Sequence, residues 1–461
     1  MENYYEIINT PTLDKIERLG ALRVYEAELQ KTAPRSFDPF LAEVNNHIHT
    51  IYSFSPYSPS MAALRARDAG LGAAGSVDHD SISAAEEMLA ACAVLGIGGC
   101  AGFELRASFK TGADGKHSAF AARKINNPDS EGYAYMTVQG IPRQYIQAAS
   151  NFLRPLRAER IKRTAAMTVS ANILLREGGI NNLDFDKDII ARSKYAEGGG
   201  LTERHLLAAV AKKLICKYGA GQELLEGIKL QLGITVSPKL GALLSDPNNP
   251  HYLYDLLGVL KTGFLPKIYI QPNENECIPA GKVTAFAESI SAISAYAYLG
   301  DVGESPTGDK KAEKFEDDYL EELFAELSRL NFKALTYMPP RNTIEQLRNI
   351  RRLSAEWGFM LISGLDINSS RQSFNCPELL LDEFRHLLDT TWAMIAHERF
   401  ASVDESYGLF SAKNPLASMK LSPRLTAYAK LGRTLNHYHP DESALEHISG
   451  IGEPSNRRFA R

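Results

Sequence analysis

Cysteine is scarce in this chain. There are five among 461 residues, at Cys92, Cys100, Cys216, Cys277 and Cys376, and no two stand in a CxxC spacing. A sparse, odd and scattered set excludes a disulfide framework and a thiolate zinc site, and it fits a reducing compartment. Long apolar runs are missing too: nothing reaches the roughly 18 residues that a membrane span needs. The opening MENYYEIINTPTLDKIERLG is polar and charged, without the apolar centre of a signal peptide. These absences make a cytoplasmic protein the expectation, with no membrane partner. Neither sign of charge dominates, since the net charge is −4. Bulk electrostatics therefore gives no reason to expect nucleic acid. No internal repeat, Walker-type phosphate loop, Ser/His/Asp order or reactive-cysteine setting stands out.

What is present is an ordinary globular composition, 44% hydrophobic and 23% charged. The length suits one large α/β domain with insertions, or two or three domains. The most informative segment is Asn46-His47-Ile48-His49-Thr50, followed some thirty residues on by Asp78-His79-Asp80. Residues i and i+2 of an extended strand share a side, so His47 and His49 can aim two imidazoles at one point. Neutral imidazole is the commonest side-chain ligand for a divalent metal. Between the two clusters lie an amphipathic stretch over 59–69, a Gly70-Leu71-Gly72 stop and a short buried strand over 73–77. That is a strand–helix–strand unit with ligand-type residues at the strand ends, where chemistry collects in parallel α/β folds. Glu104 closes a further apolar strand, and Asp366 closes another in Ile362-Ser363-Gly364-Leu365-Asp366. Mixed imidazole and carboxylate sets suit Zn, Mn or Fe.

Along the chain, residues 1–40 read as a helical lead that packs outside the main domain. Residues 41–140 begin the barrel, with strands expected at 44–49, 73–77 and 97–105, helices at 59–69 and 81–95 (the latter capped by Ser81), and a loop-rich stretch over 111–140. Residues 141–265 read as a helical insertion whose basic run, Arg154, Arg157, Arg160, Lys162 and Arg163, is expected to be a solvated helix face. Residues 266–385 return to alternation, with strands expected at 268–270, 292–298, 334–337 and 360–362 and helices at 314–330 and 343–356. Residues 386–461 form a polar helical extension and a loose tail.

In order and spacing, five segments resemble the polymerase and histidinol phosphatase (PHP) family of metal-dependent phosphoesterases. They are His47-Ile48-His49-Thr50, Val77-Asp78-His79-Asp80, Gly102-Phe103-Glu104, Thr202-Glu203-Arg204-His205 and Ser363-Gly364-Leu365-Asp366-Ile367-Asn368. The likeness spans residues 41–110 and 285–370, with the Arg204-His205 element in the insertion. It implies a distorted (β/α)7 TIM-like barrel whose strand ends hold up to three metal ions. The first ion would take His47, His49, Glu104 and Asp366. The second would share the glutamate and add two histidines, where this chain carries Tyr135 and Tyr298. The third would use a residue soon after the HxH, the histidine of the DH pair, and a histidine two after the late aspartate. Those positions read Phe54 or Ser55, His79, and Asn368. Tyrosine, serine and asparagine are poor ligands for Zn or Mn, so the resemblance implies one well-formed site and two eroded ones.

The expected function is a metal-dependent hydrolase, a phosphoesterase acting on a small phosphorylated substrate through a metal-bound hydroxide held at one divalent site of Zn, Mn or Fe. His79 and Asp80 are the candidate general bases or water-steering groups. Arg204, His205, Lys310 and Arg341 are candidate sources of positive charge, with Arg204 and Arg341 on the substrate phosphate. The alternative is a catalytically degenerate binding or regulatory module on the same fold. A third reading keeps the single metal and changes the bond cleaved to an amide. Other features carry blander expectations. Thr307-Gly308-Asp309-Lys310-Lys311 is an exposed turn, Pro340-Arg341-Asn342-Thr343 opens a helix, and His117 is solvated. His397-Glu398 is a second imidazole–carboxylate pair, and His437-Tyr438-His439 a second HxH remote from any strand.

Overall fold

The computed structural model describes residues 2–32, 38–112, 114–127, 129–301 and 314–451. Seven strands form one sheet in sequence order: β1 (Val44–Ile48), β2 (Ala73–His79), β3 (Gly98–Ser108), β4 (Tyr133–Gln139), β5 (Ile293–Ala297), β6 (Ala334–Tyr337) and β7 (Met360–Ser363). Their residues are almost all buried. Such burial is that of strands covered on both faces. Consecutive strands are parallel except at β4, which runs antiparallel to both β3 and β5. The sheet comes round on itself just beyond β7. There Ile367 N–H donates to His47 O and His49 N–H donates to Ile367 O, in a parallel bridge between Ile48 and Ile367. The architecture is a nearly closed seven-stranded α/β barrel.

Two strand expectations need correction. β4 arises inside the stretch read as loop, because the turn signals around 114–129 masked the alternation of Tyr133, Tyr135 and Thr137 on one face. Residues 268–270 are not a strand. They follow the 3-10 turn Leu265–Lys267, and the Ile270 carbonyl accepts from Arg163 Nη1 rather than from a neighbouring strand.

The segment over residues 141–265 is helical in the structure. Its 32-residue helix Ile146–Glu177 starts beside the later helix Arg385–Val403, where Gln144 Nε2 donates to Ala401 O. By mid-length it reaches the strand ends, where Arg160 meets Asp80. At about 1.5 Å per residue, a helix of this length spans the barrel from bottom to top. Leucines and alanines of Glu203–Tyr218, Gln222–Leu232 and Tyr252–Gly263 give this layer its own apolar core. The N-terminal helices Glu2–Asn9 and Lys15–Thr32 pack outside the barrel. Arg18 there forms a buried ion pair with Glu87 at 2.6 Å. Helix Arg385–Val403 is not polar as expected. Trp392 to Ala401 are all buried against the barrel, and Asn46 Nδ2 donates to Thr391 Oγ1 across that contact. Helix Ala85–Leu95 also starts later than the sequence suggests. Its N-cap position is Ala84, without a side-chain cap, because Ser81 Oγ donates to Gly198 O instead. The charged helix near 314–330 begins only at Leu320.

Candidate metal centre

The centre sits where β1, β2, β3 and the β7 exit converge. The β1–β2 register slips between Asn45 and Ile48, so β1 carries an extra residue at Asn46-His47. Bulges of this kind re-aim side chains at strand ends. Both imidazoles turn toward Glu104, with ring centroids 5.2 Å apart. Gly364 makes this fit possible. A Cβ there would lie 2.6 Å from His47 Cβ and 2.7 Å from His47 N, so only glycine lets the β7 exit lie against the HxH backbone.

His47 Nε2 lies 3.6 Å from Glu104 Oε1, and His49 Nε2 lies 3.8 Å from Glu104 Oε2. Donor atoms of His47, His49 and Glu104 all fall within 4.8 Å of one another, and all three residues are buried. Asp366 joins through Oδ1, 3.2 Å from His49 Nε2, with two-fifths of its side chain exposed. His79 joins through Nδ1, 2.9 Å from Glu104 Oε2, and its ring centroid is 4.5 Å from that of His49. Burial lowers the pKa of His47 despite the pull of Glu104. For His49, burial works against the charged form, but Asp366 and Glu104 outweigh it and raise the pKa. Glu104 resists the upward push of burial because His79 and His47 hold it below its ordinary value. Asp366 is held well below the carboxylate range, against burial, chiefly by His49.

These residues fit a divalent cation. Among the described residues, buried His49 Nε2 makes no hydrogen bond, although two carboxylates face it. A buried imidazole nitrogen set against carboxylate oxygens is a donor arrangement that a cation would satisfy.

Asp80 occupies a different setting from the one expected of a general base. Its Oδ2 is 2.8 Å from Arg160 Nη1, with both side chains buried, and its carbonyl accepts from Arg157 Nη1. Arg160 continues to Glu276 at 3.1 Å, and Arg163 binds both Glu276 and Glu203. Arg106, on the same face of β3 as Glu104, completes the network through Glu276 at 2.9 Å and Glu203 at 3.3 Å. The basic run is therefore not a solvated face. Arg157, Arg160 and Arg163 are buried, while Arg154 and Lys162 are exposed. A spacing of three places the buried arginines on one helical side, and the acids that neutralise them lie far away in sequence. Sequence reading missed Arg106, Glu203 and Glu276. The i+2 relation of Arg106 to Glu104 was the one available signal.

His205 caps a helix. Its Nδ1 accepts from Thr202 N–H at 3.1 Å, and burial lowers its pKa to about 4. It is thus a neutral ring whose remaining nitrogen carries the hydrogen, which suits donating a hydrogen bond and not ligating a metal. Arg204 Nη1 donates to Asn368 O at 2.9 Å, and its guanidinium lies 5.9 Å from the ring centres of both Phe54 and Tyr254. Phe54 adopts φ 81°, a strained value for a bulky residue, and sets its ring edge-on to His205. Asn368 Nδ2 donates to Asp366 Oδ1 at 2.6 Å, so it orients the aspartate.

The two tyrosines differ. Tyr135 lies beside His79, with ring centroids 6.0 Å apart. The Tyr298 hydroxyl is committed to Asp317 at 2.6 Å. Among the described residues, buried Ser55 Oγ has no hydrogen-bond partner. Arg341 Nε donates to Leu299 O. The turn bearing Lys310 falls outside the described residues. His397 and Glu398 serve packing: His397 Nδ1 accepts from Leu409 N–H, and Glu398 accepts from Ala101 N–H. His437 is buried against Trp392, whereas His439 is exposed beside Glu442, so the second HxH does not converge.

No protein-family model and no curated protein matches the chain. Among the solved structures similar in shape are two of low sequence identity. One, described as a metal-dependent phosphoesterase from Bifidobacterium adolescentis, shares 16% identity over 75% of this chain and 96% of its own, with a TM-score of 0.47. The other, described as an amidohydrolase from Chromobacterium violaceum with bound sulfate and no metal, shares 14% identity over 73% and 90%, with a TM-score of 0.44. Similarity at this level assigns no chemistry to the chain.

Proposed function

We propose that this protein is a metal-dependent hydrolase, and most specifically a phosphoesterase for a small phosphorylated substrate. The observation that carries the reading is the convergence of the donor atoms of His47, His49 and Glu104, with buried His49 Nε2 making no hydrogen bond among the described residues. His47, His49, Glu104 and Asp366 would hold one divalent ion of Zn, Mn or Fe. A bound cation would supply Lewis-acid activation of water and of the phosphoryl oxygens.

The remaining work falls to the chain's own side chains. Glu104 faces His79 Nδ1 at 2.9 Å, so Nε2 is the ring nitrogen that would take a proton from water. Arg204, near the rings of Phe54 and Tyr254 and donating to Asn368 O, would bring a positive charge to a substrate phosphate beside the residue that orients Asp366. His205 offers an N–H donor from a ring that stays neutral. Arg341 is a further candidate for the phosphate. Asp80 is assigned to anchoring the β2 exit on the long helix through Arg160, and not to proton transfer.

A binding or regulatory module is favoured by one observation: Asp80, His205 and Tyr298 are each engaged in structural contacts, which leaves His79 alone of the two candidate general bases. A panel of phosphate monoesters, phosphate diesters and amides, run with Mn or Zn on wild type and Asp366→Ala, tests the assignment. Phosphate release by wild type that Asp366→Ala abolishes supports it. Amide cleavage would change the substrate class. Binding of a phosphorylated metabolite without turnover would establish the module.

A further inference from the structure

Behind His49, on the side away from Glu104, lies a short buried chain of polar groups. His49 Nδ1 is 3.2 Å from Ser53 Oγ. Ser53 Oγ donates to Asp78 Oδ1 at 2.5 Å. Asp78 is buried and accepts twice more, from Thr50 N–H on Oδ1 and from Thr50 Oγ1 on Oδ2, both at 2.6 Å. All four residues come from the β1 exit and the end of β2, so the chain is built from the same two strand ends as the centre.

We infer that Ser53 and Asp78 are positioning residues that fix the tautomer of His49 and thereby direct its Nε2 lone pair at the ligand cluster. This rests on the reading of that cluster as a metal centre. The argument is one of counting hydrogens. A carboxylate only accepts, and a serine hydroxyl has one hydrogen. At 2.5 Å that hydrogen belongs to the Ser53–Asp78 bond, so Ser53 shows His49 a lone pair. Nδ1 of the neutral imidazole must then carry the hydrogen, and Nε2 must carry the lone pair. Nε2 is buried and, among the described residues, makes no hydrogen bond, which agrees with this assignment. Outer partners of this kind set ring orientation and ligand basicity. Asp78 thus acts on the centre without touching it, which gives the aspartate of the Asp78-His79 pair a role separate from that of its neighbour.

The polarity is robust at Asp78. Thr50 N–H can only donate, so an oxygen must remain at the Oδ1 position. In Asp78→Asn the amide nitrogen would therefore face Thr50 Oγ1, and Ser53 would still donate to oxygen. Ser53→Ala removes the acceptor. Nδ1–H would then be buried without a partner, whereas a hydrogen on Nε2 could bond to Asp366 or Glu104.

The test is long-range nitrogen–proton correlation NMR on metal-free, histidine-labelled protein at alkaline pH, with His49 assigned by its loss in His49→Gln. Wild type and Asp78→Asn are expected to show the Nδ1–H tautomer, and Ser53→Ala the Nε2–H tautomer or a mixture. Titration with Mn²⁺ or Zn²⁺ is expected to show affinity about 10–100-fold weaker in Ser53→Ala. An Nε2–H signal for His49 in wild type, which needs no substitution to observe, would overturn the inference. So would a Ser53→Ala protein with unchanged tautomer and unchanged metal affinity. Failure of every substrate in the hydrolase panel would leave the tautomer result standing, so the two readings fail separately.

Discussion

Asp80 and Arg160 form a buried ion pair, Oδ2 to Nη1 at 2.8 Å, with each side chain 5% exposed. The pair joins the residue that follows His79 to the long helix of the insertion. Removing one partner from such a pair leaves an uncompensated buried charge, at a cost of about 3–5 kcal/mol. Arg160→Ala and Asp80→Ala are therefore both expected to lower unfolding stability by that order, as read by denaturant titration. If Asp80 were a free catalytic base instead, Asp80→Ala would leave stability nearly unchanged.

Gly364→Ala is expected to disturb the centre from the β7 side. The added methyl would meet His47 Cβ and N at 2.6 and 2.7 Å, so His47 or the β7 exit must shift. Metal affinity, measured by titration, should fall while the circular dichroism spectrum stays close to that of wild type. Unchanged affinity would show that the strand exit has slack which the structure does not display.

Two buried acids should make stability depend on pH away from the centre. Burial raises Glu316 from 4.5 to about 8 and Glu398 from 4.5 to about 7. Because their folded values lie above the unfolded ones, their contribution is complete below about 4.5 and is lost as pH rises through about 7–8. Stability of the metal-free protein should therefore decline over that window. Glu316→Gln with Glu398→Gln should flatten the decline, and a profile that the double variant leaves unaltered would contradict it.

Metal binding should carry the opposite pH sign. Imidazoles must be neutral to ligate, so protons compete with the ion. His49 holds its proton more tightly than an ordinary histidine because of Asp366 and Glu104. Affinity for Zn²⁺ should rise with pH through and above the ordinary histidine range. A pH-independent affinity would exclude His49 as a ligand.

Much of this was legible in the sequence, for identifiable reasons. The HxH, the Asp-His pair, Glu104 and Asp366 each end an apolar run, and neighbouring barrel strands bring such positions together, although β3 runs on past Glu104 to Ser108. Local spacing therefore located residues that the fold brings together. The arginine run was misread because helical spacing gives a face but not what covers it. Glu276 and Glu203, which cover it, are far away along the chain. β4 was missed because its alternation follows a stretch dense in turn signals. The cap made by His205 and the Tyr298–Asp317 bond depend on side-chain geometry that no spacing reports. Helix Arg385–Val403 looked polar because His397, Glu398 and Arg399 interrupt its apolar run, yet each finds a buried partner or packing site under the barrel.

The most direct test of the central claim is metal content per chain, by elemental analysis after incubation with Mn or Zn and removal of excess, in wild type and in His47→Ala. About one equivalent in wild type, lost in the variant, is the expected result. No retained metal in wild type, or the same content in both proteins, would contradict a metal centre at His47, His49, Glu104 and Asp366.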